Sequence, residues 1–138
     1  MAGHTPGPWR WEINERFKSI QLVGGRPQFD LTIIQPARWG LNSATLLIRD
    51  TEHDGLHLLH KAHERRDWIV PFEGRAHHAD WCANVSHPDL CLISAAPDLL
   101  EFAKSFVDLY KYSDMRPEDE CSGLFGAALS AIAKAEGE

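Results

Sequence analysis

Long apolar runs are missing from this chain of 138 residues. No stretch approaches the roughly 20 apolar residues that cross a bilayer, so no membrane span is expected. The start, Met1-Ala2-Gly3-His4-Thr5, has neither a basic segment nor an apolar one, and no secretory signal is read there. Cysteine is scarce and odd in number (Cys82, Cys91 and Cys121), which does not make a disulfide framework and fits a reducing cytoplasm. A basic excess is also missing. Lys and Arg number 14 against 20 Asp and Glu, a net charge of −6. That balance counts against a general phosphate-backbone binder, yet it is too small to define a nucleic-acid mimic. There is no G-x-S-x-G elbow, no Walker loop and no G-x-G-x-x-G. Gly24-Gly25-Arg26-Pro27 reads as a turn, and the acids Glu118, Asp119 and Glu120 read as the start of a helix.

What remains is an ordinary globular composition, 43% apolar and 25% charged, long enough for one core and read as a single domain over residues 1–138. Residues 1–50 are mainly strands. Trp9–Ile13 and Ser19–Val23 alternate apolar and polar, and Phe29, Leu31 and Ile33 share one side. Thr45–Arg49 predicts a fourth strand. Residues 51–87 are irregular. Leu56–Arg66 predicts a short helix, Trp68–Phe72 an edge strand ended by Pro71, and Glu73–Ser86 a loop.

Residues 88–136 are helical. Ser86 or His87 caps a turn that begins at Pro88 and runs to Ala96, and Pro97 begins a second helix. Leu99, Phe102, Ala103, Phe106, Leu109 and Tyr110 form a core-facing stripe, continued after Pro117 by Cys121, Leu124, Phe125, Ala128, Leu129 and Ile132. Gly123, Gly126, Ala127 and Ala131 allow close helix approach. The expected fold is α+β: a small antiparallel meander of three to five strands, covered on one face by a C-terminal α-hairpin.

Two segments bracket the chain. His4-Thr5-Pro6-Gly7-Pro8-Trp9 opens it; Leu92–Glu101 and Ala131–Gly137 close it. Together they resemble small phage and prophage proteins that begin HTPGPW and end LIAAAPDLLEAL…AIAKAEG. The resemblance implies a phage setting and a host-cell cytoplasm rather than an activity. Such proteins usually carry Asn shortly before the Leu-Ile pair, where Asp89 stands here. Read as architecture, Trp9 and Trp11 lie on the first strand, and Leu92, Ile93, Leu99 and Leu100 are core anchors about a proline joint.

Histidine is the unusual residue of the middle. His60, His63 and Glu64 share a face if Leu56–Arg66 is helical, a two- or three-ligand metal set that differs from the zincin order. His78, Cys82, His87 and Cys91 offer two nitrogens and two sulfurs to zinc, at spacings unlike the usual knuckles. Against both stands the plain alternative of solvated or packed histidines, with no cofactor at all. Arg38-Trp39, Arg65-Arg66, Trp68 and Trp81 place aromatics beside charge, the residue types that dominate interface hot spots. Arg65, Arg66 and Trp68 also suit phosphate contact and stacking, although the acidic total disfavours nucleic acid. The leading expectation is therefore a phage accessory protein without catalysis. It would bind a host or phage protein complex, for example to inhibit a host defence in the manner of an anti-CRISPR protein. A zinc-binding protein or metal-dependent hydrolase is the alternative, and a homodimer through the sheet face is a third.

Overall fold

The computed structural model describes residues 3–53, 58–72, 74, 77, 83–111 and 122–138. The fold is α+β: five strands in one antiparallel sheet, two in a second, then two helices. The first sheet is a meander in chain order: β1 Arg10–Asn14, β2 Ser19–Gly24, β3 Leu31–Trp39, β4 Ser43–Arg49 and β5 Leu59–Lys61. The second pairs β6 Ile69–Pro71 with β7 Ala83–Val85. Helix α1 spans Pro88–Lys111 and α2 spans Ser122–Glu136. The chain forms two compact units, Met1–Leu92 and Ile93–Glu138.

Register sorts the side chains of the five-stranded sheet. Trp11 faces Leu22, Leu22 faces Ile34, Ile34 faces Ile48, and Ile48 faces His60. With a period of two, Ile13, Ile20, Pro36 and Leu46 share that face. The opposite face carries a polar ladder across three strands: Gln21 Nε2 donates to Glu12 Oε1 at 2.8 Å, and Thr32 Oγ1 donates to Gln21 Oε1 at 3.1 Å. The alternation expected from Leu31 and Ile33 breaks at a bulge. Val23 pairs with Thr32 while Leu22 pairs with Ile34, which leaves Ile33 as the extra residue, fully buried. Even-numbered residues then take over the apolar face, and Phe29 stays outside the strand, 62% exposed.

Pro36 sits within β3 because β2 pairing ends at Ile34. Beyond it β3 has β4 alone as partner and is locally an edge. Gly24 and Gly25 serve as more than a turn. A Cβ at Gly24 would stand 2.7 Å from the Pro6 carbonyl oxygen and 2.9 Å from Thr5 Cγ2, so only glycine lets the N-terminal segment cross there. The Gly25 N–H donates to that same Pro6 carbonyl at 2.7 Å.

Several expectations are corrected. Leu56–Arg66 does not form an α-helix: Leu59–Lys61 pairs with Leu47–Arg49, and Ala62–Glu64 makes one 3-10 turn. An isolated helix that short is marginal, and the ladder offered by β4 wins. Ala83–Val85, inside the expected loop, is a strand. Pro97 does not start a new helix but lies inside α1. Its ring costs one helical bond, and Pro97, Ala96 and Ser94 are all exposed, so the freed Ile93 carbonyl lies on a solvent-facing stretch. The expected core stripe is split. Leu99, Phe102 and Leu109 are exposed, as is Ile93, whereas Val107 is buried. Phe106, Tyr110 and Phe125 are half-buried, and the last two rings stack at 4.3 Å. A cavity of about 190 Å³ between the helices is lined by Leu100, Ala103, Ala131 and Ile132, among others. Gly123 and Gly126 are not close-approach positions, since a Cβ on either would meet nothing within 4 Å. Cys121 and the Pro117 helix start lie outside the described residues. No helix among the described residues is long and apolar enough to cross a membrane.

Candidate functional site

Three consecutive polar residues, the last of β4 and the two that follow it, are all buried: Arg49 at 7% exposure, Asp50 and Thr51 at 2% each. Buried polar groups must be partnered, and the partners of Arg49 come from both ends of the first unit. Arg49 Nε donates to Thr5 Oγ1 at 2.9 Å. Thr5 in turn donates its backbone N–H to Asp89 Oδ1 at 2.5 Å and its hydroxyl to Asp89 Oδ2 at 2.6 Å. Thr5 and Asp89 are wholly inaccessible. The opening HTPGPW segment and the start of α1, 84 residues apart, are thus fastened directly to each other. Asp89 fits because both carboxylate oxygens accept. An Asn would turn one acceptor into a donor and leave the Thr5 hydroxyl proton without its acceptor.

His87 caps α1. Its Nδ1 accepts from the Asp89 N–H at 3.2 Å, so the proton sits on Nε2, which donates to the Arg49 carbonyl at 2.7 Å. Both ring nitrogens are held by main chain, and this arrangement leaves neither for a metal. Trp9 Nε1 closes the N-terminal segment by donating to the Thr5 carbonyl at 2.8 Å.

Asp50 organises the other side. Its Oδ1 accepts the backbone N–H groups of Glu52 and His53 at 2.8 and 3.1 Å. Its Oδ2 receives two imidazoles, His60 Nε2 at 2.8 Å and His53 Nδ1 at 3.0 Å. Burial alone would raise this carboxyl. The hydrogen bonds from His60, His53 and the two amides outweigh it and hold the group well below the ordinary carboxylate range. Trp68, buried at 5% exposure, packs edge-to-face on His60 (5.7 Å) and on His87 (4.7 Å) and joins the two clusters. Arg65 lies over the indole, 3.5 Å from its centroid. Its fork grips Asp67 through Nε and Nη2 at 2.9 and 2.6 Å, which pulls the Asp67 carboxyl down to about 2.

The sequence candidates therefore land in different places. His60 turns to Asp50. His63 stands on the 3-10 turn and shares a hydrogen bond with Thr45 Oγ1 at 2.9 Å, with Glu64 3.7 Å from its Nε2. The structure does not gather His60, His63 and Glu64 about one point. Cys91 donates its thiol to the Val85 carbonyl at 3.2 Å. His78, Trp81 and Cys82 lie outside the described residues. Arg38 is exposed and donates to the Gly40 carbonyl, Arg66 is exposed beside Ala62, His63 and Ile69, and the side chain of Trp39 lies outside the description. Trp68 is core, not surface.

Thr5, Arg49, Asp50 and His53 escaped the sequence reading. The signal was the run Arg49-Asp50-Thr51 at the close of an apolar strand, where three polar residues in sequence look like the start of a loop. Among the described residues no hydroxyl or thiol hydrogen-bonds to His60, so the Asp50–His60 pair carries no assembled nucleophile.

The far end of the apolar sheet face is exposed. Trp11 is 63% accessible, Ile13 68%, Ile20 43% and Leu46 39%, and Phe17 extends the patch at the β1–β2 turn. Searches of curated proteins and of solved structures found no match. A family model does match, over residues 1–138, and on that match the chain belongs to the family of Salmonella phage P22 protein Y8K6.

Proposed function

We propose that this phage-family protein is an accessory factor that works by binding, with the exposed end of the sheet face as its contact surface. The observation that carries this reading is the row Trp11, Ile13, Ile20 and Leu46, placed on one face by register and left accessible. A cation at the β1–β2 turn suits a protein partner: Arg16 lies 5.3 Å from the Phe17 ring centroid. The concrete form is occlusion of a host or phage protein complex, and inhibition of a host defence complex is the version to test first. The family membership supports the phage setting.

The test couples capture from host lysate to a phage-survival assay in cells with and without an active defence system. A partner captured by the native protein and lost with Trp11→Asp, together with better phage survival that the same substitution abolishes, is the expected result. No specific partner and unchanged survival would sink the reading. Light scattering that shows a dimer dispersed by Trp11→Asp would assign the face to self-association instead.

A further inference from the structure

We propose that Asp50, His53 and His60 form a binding site for one divalent transition-metal ion of the zinc class, with Glu52 beside the fourth position. Two imidazole nitrogens from different parts of the chain converge on a single oxygen, Asp50 Oδ2, at 2.8 and 3.0 Å. A carboxylate oxygen can accept two such donors. The second, His53, is 63% exposed and has solvent at its disposal, yet its Nδ1 is aimed inward. Metal–nitrogen and metal–oxygen bonds near 2.1 Å place tetrahedral ligand atoms about 3.4 Å apart. An ion entering here opens both Oδ2–N separations, now 2.8 and 3.0 Å, towards that value and draws the two rings round itself.

The supporting groups already have the arrangement a metal site needs. Asp50 Oδ1 is occupied by two backbone N–H groups, which fix the carboxylate and leave Oδ2 for the ion. The His60 ring is braced by Trp68. The β4–β5 ladder, extended by the Asp50 N–H to the Leu58 carbonyl at 2.8 Å, sets the spacing between Asp50 and His60. The donor atoms of Asp50, Glu52 and His53 lie within 4.8 Å of one another, and Arg65 Nη2 stands 3.9 Å from Glu52 Oε2. Two imidazoles and a carboxylate suit zinc and its neighbours, whereas calcium and magnesium take oxygen alone. On binding, each neutral ring moves its N–H to its other nitrogen, so Nδ1 of His53 and Nε2 of His60 become the donors to the metal.

The experiment uses the full chain without a histidine tag, stripped with chelator and titrated with zinc chloride by calorimetry. Cobalt(II) absorption reports the coordination number. One ion per chain is expected, with a low-coordinate cobalt spectrum. His53→Ala and His60→Ala should each weaken binding by at least about ten-fold, while His63→Ala leaves it unchanged. His53 is exposed, so its variant decides the matter even if His60→Ala loses the fold. No uptake overturns the proposal, as does uptake that His53→Ala leaves unaffected.

Discussion

Around the end of β4 the protein buries polar residues, and along β1 it exposes apolar ones. Arg49, Asp50, Thr51, His87 and Asp89 are all below 9% accessible, while Trp11 and Ile13 exceed 60%. Hydrophobicity therefore misplaces both regions. What distinguishes them is partnership: the Asp50 and Asp89 carboxylates, the Thr5 hydroxyl and both His87 ring nitrogens are hydrogen-bonded, whereas the exposed apolar row has no such tie. Buried networks of this kind are rigid and costly to disturb, and exposed rows cost little to change until a partner needs them.

The sharpest way to break the contrast is Asp89→Ala. It strips the acceptors from both Thr5 donors inside a sealed site, and a loss of about 3–5 kcal/mol is expected from urea unfolding. Gly24→Ala acts on the same junction from above. Its Cβ would run into Pro6 and Thr5, with an expected cost of about 1–3 kcal/mol. Because both substitutions release one segment, the double variant should lose clearly less than the sum; strict additivity would show that the junction is not a unit.

Trp11→Ala tests the other region. Stability should stay within about 0.5 kcal/mol of the native protein, while affinity for a captured partner falls by at least about ten-fold, roughly 1.4 kcal/mol. A large loss of stability instead would make Trp11 a core residue.

The smallest effect is electrostatic. Arg65 holds the Asp67 carboxyl at about 2, below its value in the unfolded chain. The contribution is therefore present at neutral pH and fades as pH falls through the ordinary carboxylate range towards the folded value. In Arg65→Met the Asp67 titration, followed by NMR, should move up towards about 3.9.

The strands β1 to β4 were legible because alternation survives in a half-buried sheet, and the α+β class followed from them. The bulge at Ile33 was not, since one inserted residue reverses every parity after it. β5 was misread because His60 and His63 stand at helical spacing, and three residues pair as a strand only when β4 is beside them. The unbroken α1 was hidden by Pro97, a residue that ends a helix where its carbonyl partner is buried and is tolerated where that partner is exposed. Of the candidate site, His60 and the capping role of His87 were readable. Asp50 and Thr5 were not. Their meaning rests on contacts with residues 10 and 84 positions away, which no local pattern encodes.

The Thr5–Asp89 fastening also orders events in time. Closing a loop of that length costs about 4 kcal/mol of chain entropy, so the N-terminal segment is a poor nucleus and a natural last piece. During synthesis it has to wait, unsecured, until residue 89 has left the ribosome, by which point the strands between are free to pair. Anything fused close ahead of His4 would burden this late step, because the Thr5 amide itself is a buried donor. A tag placed after Glu138 leaves it alone.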